Sequence, residues 1–200
     1  MTAQIKQSSR ELRRLQTRER ILGAAIAEFT ASGMAHADIG AIVNAAGVAH
    51  GTFFFHFPSK EHVLLELEAR EEARMAAEFT RRLGGTDDLA SVLDHAVHLI
   101  TGLERRLGPL LFKEFLALHF SPTRPSADEW TDHPLIVLLV GEIERARTDG
   151  KVAPEVDALS SATFFLLGIY GALTTTSHTD TRDAMLAGLV TTALRGLQVR

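Results

Sequence analysis

The sequence predicts an all-α protein of about nine helices, with a three-helix helix-turn-helix domain at residues 1–60 and a larger helical domain at residues 61–200. Apolar residues recur at helical spacing along the chain, and no stretch shows the strict alternation that is typical of a half-buried strand. Glycine and proline interrupt this pattern where helices should end. Hydrophobic residues make up 46% of the 200 residues, which is enough for a substantial core.

The first helix is predicted over about residues 14–32. Gly33 ends it, because glycine is the residue that most readily terminates a helix. Residues 1–13 are polar and basic, so they are either an arm that follows a nucleic-acid backbone or a disordered tail. The apolar positions of the helix predict one buried stripe, formed by Ile21, Leu22, Ala25, Ile26 and Phe29.

Two short helices joined at a glycine follow. Asp38 caps the first of them, because its carboxylate can accept backbone N–H groups left free at a helix start. Gly47 allows the sharp turn, since glycine adopts positive φ at low steric cost. The second runs over residues 48–57 and ends before Pro58. Two such helices form a helix-turn-helix, whose second helix can enter a DNA major groove.

Six further helices are predicted after Pro58, and they alternate with loops rich in glycine, proline and serine. The fourth helix covers about residues 59–82. The fifth is marked by apolar residues from Leu89 to Ile100, and Pro109 opens the sixth. The seventh contains Trp130 and residues 135–143, the eighth covers about residues 158–175, and the ninth covers about residues 181–197.

Charge is distributed unevenly. Residues 1–60 hold seven Lys and Arg against four Asp and Glu, a net charge of +3. Since the whole chain carries −4, the remaining residues carry −7. Positive charge concentrated on the helix-turn-helix domain favours binding to phosphates. Without cysteine there is neither a disulfide framework nor a thiolate metal site, and without a signal core or a long apolar run we expect a soluble, cytoplasmic protein.

The segment from Gly33 onward resembles the DNA-binding headpiece of the tetracycline-repressor (TetR) family. The resemblance is specific over residues 14–66 and extends beyond them in helix number and order. The matching features are Gly33, Ile39, Ile42, Ala46-Gly47-Val48, Gly51-Thr52-Phe53 and the run from His56 to Glu61. This resemblance implies a homodimeric, ligand-responsive transcriptional regulator that binds a near-palindromic operator on double-stranded DNA, most simply as a repressor.

The resemblance also indicates residues that contact DNA, namely Arg14, Arg18, Asp38, Ala49, His50, Gly51, Thr52, Phe54, Phe55, His56 and Lys60. Lys60 is expected on a phosphate, and His50 and Thr52 on base edges. His56 either contacts DNA or packs internally between phenylalanines. Where the family usually has hydroxyl groups on phosphates, this chain has Ala37, Asp38, Ala49 and Phe54.

The last two predicted helices are the expected dimer interface, because Gly168, Gly171 and Ala172 leave room for close helix packing. The alternative is that both helices are internal core. A small, mostly apolar ligand is expected in a pocket of the larger domain, and its binding would misplace the two headpieces and release DNA. The candidate lining residues are His95, His98, Leu99, Phe112, Phe115, His119, Trp130, Phe164, Phe165 and Tyr170.

Two other functions fit the residues. The missing hydroxyl groups also suit a dimeric small-molecule- or protein-binding module with a degenerate headpiece that binds no operator. A helical enzyme would use His95 and Glu114 as acid and base, although Glu114 can also face solvent or line the ligand cavity. Asp94, His95 and His98 place two imidazoles at i, i+3, but a metal site needs a third converging ligand. We therefore expect no catalytic residue, no bound metal and no cofactor.

Overall fold

The computed structural model describes residues 9–83, 88–119, 121, 133–176 and 179–198. Over these residues the chain is all-α, which confirms the predicted fold class. An isolated antiparallel bridge joins Val152 to Gln198. The helices are α1 (Ser9–His36), α2 (Ile39–Ala46), α3 (His50–His56), α4 (Lys60–Arg82), α5 (Leu89–His119), α6 (Pro134–Thr148), α7 (Ala158–Thr175) and α8 (Thr179–Leu197).

The described residues hold eight helices where about nine were predicted, because α5 includes both the fifth and the sixth predicted helices. A break inside α5 lies at Gly108, whose φ of 74° and ψ of 160° are not helical. Pro109 follows directly, at a position where its missing N–H is tolerated. The sequence signal for a new helix at Pro109 was therefore sound, and the two predicted helices are the two parts of α5.

The N-terminal arm is shorter than predicted. Helix α1 begins at Ser9, so the residues from Ser9 to Arg13 belong to it, while residues 1–8 lie outside the described part of the chain. Gly33 interrupts α1 as predicted, with φ 73° and ψ 156°. The predicted seventh helix begins at Pro134, and Trp130 and most of the loop before it also lie outside the described residues.

The chain forms two compact units, and α4 and α5 contribute residues to both. The first unit comprises the chain through Ala69 together with the segment that starts at Leu107. The predicted division at residue 60 stays a prediction, and in this unit the second part of α5 packs against the segment at Gly33 and Met34. Buried apolar side chains of this unit include Ile21, Leu22, Phe29, Ile42, Phe53, Phe57, Leu64, Leu111, Phe112 and Phe115.

The second unit runs from Arg70 to Arg106 and resumes after residue 122. Within it α6 packs against α7, and α7 packs against α8. The pairing of Val152 with Gln198 attaches the loop after α6 to the end of α8, and Ala153 N–H donates to the Leu197 carbonyl at 2.9 Å. Its buried side chains include Met75, Phe79, Leu93, Ile100, Leu103, Leu135, Leu139, Ile143, Phe165 and Ile169.

Helix α7 is apolar along most of its length. Its 18 residues have a mean hydropathy of 1.4, so by length and composition alone it is a candidate membrane span, although the sequence suggested a shorter apolar run. In this structure 44% of the helix is buried, and it lies against α6 and α8. A core helix meets the same criteria, and the packing of α7 explains its composition.

Candidate nucleic-acid interface

Backbone geometry at the turn between α2 and α3 follows from two residues. Asp38 caps α2 as predicted, since its carboxylate accepts the Gly40 N–H at 2.8 Å. Gly47 ends α2 in the left-handed conformation, with φ 65°, and its N–H donates to the Asn44 carbonyl at 3.1 Å. The next amide, Val48 N–H, donates to Val43 at 3.0 Å. These bonds satisfy backbone groups that the end of a helix would otherwise leave unpaired.

Helix α3 is anchored from behind by aromatic side chains. Phe53 and Phe57 are fully buried, as predicted, and their ring centroids lie 6.1 Å apart. His56 is also buried. Of the two possibilities for it, DNA contact and internal packing, burial favours internal packing. The opposite side of α3 exposes His50, Gly51, Phe54 and Phe55, with Ala49 exposed just before the helix begins. Thr52 is half-buried between the two sides.

Arg18 holds three elements together. Its Nε donates to the Glu66 carboxylate at 2.8 Å, and a second guanidinium nitrogen pairs with the same oxygen. Nη1 donates to the His56 carbonyl, at the last residue of α3. The guanidinium carbon also lies 4.1 Å from the centroid of the Phe57 ring. Arg18 was predicted to bind DNA, and this stays a prediction; in the structure its guanidinium joins α1, α3 and α4.

Lys60 likewise has internal partners. Its ammonium donates to the Met34 carbonyl and lies 3.4 Å from the Ala37 carbonyl and 3.5 Å from that of Ala35. These carbonyls belong to the short segment between the break in α1 and the start of α2. The predicted phosphate contact of Lys60 stays a prediction, and the side chain has a structural role that the sequence did not indicate.

The same segment is held from its other side by Glu114, on the second part of α5. Its carboxylate accepts the Met34 N–H at 2.7 Å. An added Cβ at Gly33 would lie 3.1 Å from Glu114 Oε1 and 3.3 Å from Leu110 Cδ2. Glu114 is half-buried, and neither open solvent nor a ligand cavity, the two places considered from sequence, accounts for this contact. Instead it fixes the backbone that connects α1 to α2.

Exposed arginines on α1 supply the positive charge of this surface. Arg14, which was predicted to bind DNA, is exposed, and so are Arg10, Arg13 and Arg20. Arg20 was not predicted as a site residue, yet its Nη1 lies 3.7 Å from the position a Cβ would take on Gly47. It therefore stands at the turn between α2 and α3. Its basic character was visible in the sequence, but its place beside a turn 27 positions later along the chain was not.

Burial lowers the pKa of His56, and the positive charges of Arg18 and Arg14 lower it further. The unfolded chain therefore takes up a proton at His56 near pH 6.5, while the folded chain resists protonation. The stabilisation is complete above this pH and is lost as the pH falls below it. At pH 7 His56 is a neutral imidazole packed edge-on to Phe55, with centroids 5.2 Å apart.

We expect the melting temperature to fall between pH 7.5 and pH 5.5, and to fall less in His56→Gln. Each kcal/mol lost corresponds to about 2–4 °C for a chain of this size. Thermal unfolding followed by circular dichroism at three pH values measures both slopes. In His56→Gln the melting temperature should still depend on pH, because burial also lowers the pKa of His95. Equal slopes for the two proteins would contradict the assignment to His56.

The predicted ligand-binding residues are divided between the two units. Phe112, Phe115 and His119 are buried in the first unit, where His119 pairs with the buried carboxylate of Glu68. The others belong to the second unit, and Trp130 lies outside the described residues. Leu99, Phe165 and Tyr170 are buried, whereas Phe164 is 70% exposed on α7.

His95 and His98 have different surroundings although they are one helical turn apart. His95 is buried and stacks on Phe79 with centroids 5.7 Å apart, and neither ring nitrogen has a hydrogen-bond partner among the described residues. His98 is exposed and lines an open groove of about 550 Å³ with Asp94 on α5 and with residues of α8. The two imidazoles therefore face different environments.

A smaller cavity of about 240 Å³ lies within the second unit. It is mostly apolar, and side chains from four helices line it: Leu93, Ile143, Ser161, Ala162, Phe164, Phe165, Leu189, Thr192, Ala193 and Leu197. Of the predicted ligand-binding residues, Phe164 and Phe165 lie here. Gly168 packs close to α8, since an added Cβ would come within 2.8 Å of Leu189 Cδ1.

Comparison with known proteins agrees with this geometry. A family model described as bacterial regulatory proteins, tetR family, matches residues 21–67. These residues contain α2, α3 and the groups that Arg18 binds, the Glu66 carboxylate and the His56 carbonyl. The HTH-type transcriptional regulator UidR of Escherichia coli K12 is 26% identical over 175 residues, covering 86% of this chain and 87% of UidR.

Two solved structures are similar over nearly the whole chain. Thermus thermophilus FadR, a TetR family transcriptional repressor in complex with lauroyl-CoA, is 25% identical with a TM-score of 0.68. The comparison covers 92% of this chain and 96% of that one. A gamma-butyrolactone receptor, an ArpA-like protein, is 26% identical with a TM-score of 0.58, covering 93% and 90% of the two chains.

Proposed function

Because this chain belongs to the TetR family of bacterial regulatory proteins, we propose that it binds a near-palindromic operator as a homodimer and leaves it when a small ligand binds. The chain is a DNA-binding transcriptional regulator, and we propose that it represses, that it dimerises through α7 and α8 and that its ligand is mostly apolar. The observation that carries the proposal is the arrangement of α3. One side of this short helix buries Phe53 and Phe57, and the other side is exposed.

On DNA, α3 would lie in the major groove with His50 and Thr52 near base edges and with Gly51 allowing close approach. The family's usual hydroxyl groups are missing at Ala49 and Phe54, and Arg18 and Lys60 have internal partners. We therefore assign most phosphate binding to the exposed arginines of α1, Arg14 and Arg20 in particular. Asp38 keeps its carboxylate on the cap of α2 and does not approach a phosphate.

For the dimer, we propose the exposed side of α7 together with α8, the eighth and ninth helices predicted from sequence. Phe164, Leu167 and Gly171 lie at i, i+3 and i+7, on one exposed side of α7. No described atom lies within 4 Å of a Cβ position on Gly171, so this side leaves room for a second helix. Met185 adds an exposed apolar side chain on α8. A two-fold pair would present two α3 helices to two half-sites.

For the ligand, we propose a mostly apolar molecule with few polar groups. The cavity between α5, α6, α7 and α8 is lined mainly by apolar side chains, and the FadR structure holds lauroyl-CoA, which carries an acyl chain. The lining also includes the hydroxyl groups of Ser161 and Thr192, which can donate and accept hydrogen bonds. A ligand releases DNA only if it binds better to the form with misplaced headpieces.

UidR is a transcriptional regulator and FadR a transcriptional repressor, and we propose no enzymatic role for this chain. Glu114, one of the two residues considered as acid and base, already accepts a backbone hydrogen bond from Met34. Because an operator lies on chromosomal DNA, we place the protein in the cytoplasm of its cell. We assign no cofactor and no bound metal to its function.

The test begins with selection of bound duplexes from a random DNA pool, followed by anisotropy titration of the selected duplex at several salt concentrations. We expect a near-palindromic sequence bound by two protomers in sedimentation experiments. Log Kd should rise linearly with log salt concentration, with a slope of about 0.9 for each phosphate contacted. The Arg14→Ala variant should weaken binding to all sequences and reduce that slope by about one for each contact removed.

Glu144→Gln is the matched control for changed charge, because Glu144 is exposed on α6, outside the DNA-binding unit. Its salt slope should equal that of the unmodified protein. Enrichment of no sequence at low salt would contradict operator binding and would favour the binding module with a degenerate headpiece. Repeating the titration with lauroyl-CoA tests the ligand class, and release of the duplex would support an acyl-type ligand.

A further inference from the structure

Phe55 is the most exposed large apolar side chain of the described residues, at 72%. Its neighbour Phe54 is 45% exposed, so the outer side of α3 carries two phenyl rings in contact with water. Burying a phenylalanine side chain stabilises a folded protein, and this helix forgoes that stabilisation. Adjacent exposed apolar side chains on a binding surface indicate that the partner presents apolar groups to them.

Gly51 leaves the space beside Phe55 open. It stands one turn before Phe55 on the same side of α3, and helix side chains lean toward the N-terminus, so Phe55 leans over the turn that contains Gly51. Apart from its chain neighbours and the backbone of α3 itself, no described atom lies within 4 Å of a Cβ position on Gly51. In contrast, His50 covers Phe54, with ring centroids 5.6 Å apart. We call the space between the Phe55 ring and the Gly51 backbone the Phe55 notch.

The composition of α3 limits which base groups it can recognise. Its sequence, HGTFFFH, contains no Lys, Arg, Asn, Gln, Asp or Glu. Those are the side chains that read guanine, adenine or cytosine through paired or charged hydrogen bonds in the major groove. An apolar ring instead suits the 5-methyl group of thymine, which is the apolar group that a standard base presents there. The open space beside Gly51 leaves the Phe55 ring accessible to such a group.

We propose that the Phe55 notch receives a thymine 5-methyl group, which makes Phe55 a specificity-determining residue in each half-site. The inference rests on the proposed operator binding and adds the class of base that α3 reads. The operator then has a thymine at a fixed position in both half-sites. Recognition at that position depends on the methyl group and not on the hydrogen bonds of the base pair.

The test uses the full chain and the duplex selected as described above. Each thymine of a half-site is replaced in turn by deoxyuridine, which keeps base pairing and removes only the methyl group. For one thymine we expect Kd to rise about fourfold in each half-site, the effect of one buried methyl group. In Phe55→Ala the Kd ratio between the uridine and thymidine duplexes should approach one, whereas Phe55→Leu should keep a ratio clearly above one.

Further variants and outcomes decide the assignment. Phe54→Ala should weaken binding to both duplexes equally and preserve their ratio, and Gly51→Ala should reduce the ratio by filling the notch. If no uridine substitution changes Kd, the inference is wrong although the selected duplex still supports operator binding. If Phe55→Ala weakens both duplexes equally, the ring contacts the sugar-phosphate backbone and the inference is also wrong. If no duplex is selected at all, the proposed function itself fails.

Discussion

Replacing Gly33 by alanine is expected to lower the free energy of unfolding by about 2–4 kcal/mol. Its φ of 73° with ψ of 156° is a conformation that only glycine adopts readily, and forcing another residue into it costs about 1–3 kcal/mol. The added Cβ would also lie 3.1 Å from Glu114 Oε1. Glu114 would have to move, and its bond from Met34 N–H would weaken. Chemical denaturation followed by circular dichroism measures the loss.

Gly23 provides the matched control within α1. It is exposed, and no described atom lies within 4 Å of its Cβ position. Gly23→Ala should therefore stabilise the protein by about 0.5–1 kcal/mol through helix propensity. The prediction for Gly33 is wrong if the two substitutions have the same effect. Operator affinity should fall with Gly33→Ala and stay unchanged with Gly23→Ala, because Gly33 sets the path of the chain into α2.

Arg18→Met is expected to cost about 2–3 kcal/mol of stability and most of the operator affinity. The change keeps an apolar stem and removes a guanidinium that binds Glu66, the His56 carbonyl and the Phe57 ring. The expected loss of stability is at the low end for such a cluster, because the Arg18 side chain is 33% exposed and solvent screens part of its attraction to Glu66. Equilibrium denaturation and operator titration measure the two effects.

Two further variants test whether the effect of Arg18→Met comes from its lost contacts or only from the loss of a positive charge. Arg14→Met removes an exposed arginine one turn earlier, so stability should change by less than about 0.5 kcal/mol while DNA binding still weakens. The double variant Arg18→Met with Glu66→Met should be more stable than the sum of the single effects predicts, because no carboxylate remains without its partner. Strict additivity would show that the ion pair contributes nothing to stability.

Features set by neighbouring residues were predictable from sequence. The Asp38 cap, the Gly47 turn, the break at Gly33 and the buried Phe53 and Phe57 each depend on a few adjacent positions. Local rules of capping, backbone freedom and apolar spacing are sufficient for such features.

Features that depend on packing between distant parts of the chain were not predictable. Arg18 and Lys60 were predicted to contact DNA, and the sequence did not indicate that either side chain has partners within the protein. Their actual partners include Glu66 and the Met34 carbonyl, at sequence separations of 48 and 26. The hydrogen bond from Met34 to Glu114 spans 80 positions. Sequence spacing carries no signal for such pairs, since tertiary packing decides which charged group meets which backbone group.

The first unit is built from two separate stretches of chain. This arrangement also affects when the unit can fold during synthesis on the ribosome. Residues up to Ala69 leave the ribosome before the stretch that begins at Leu107 and supplies Leu111, Phe112 and Glu114. At about 5–20 residues per second, this interval lasts several seconds. During it the nascent headpiece exposes the apolar surface that α5 later covers. A fragment that stops soon after Ala69 would keep that surface exposed permanently, so an isolated headpiece should aggregate where the full chain does not.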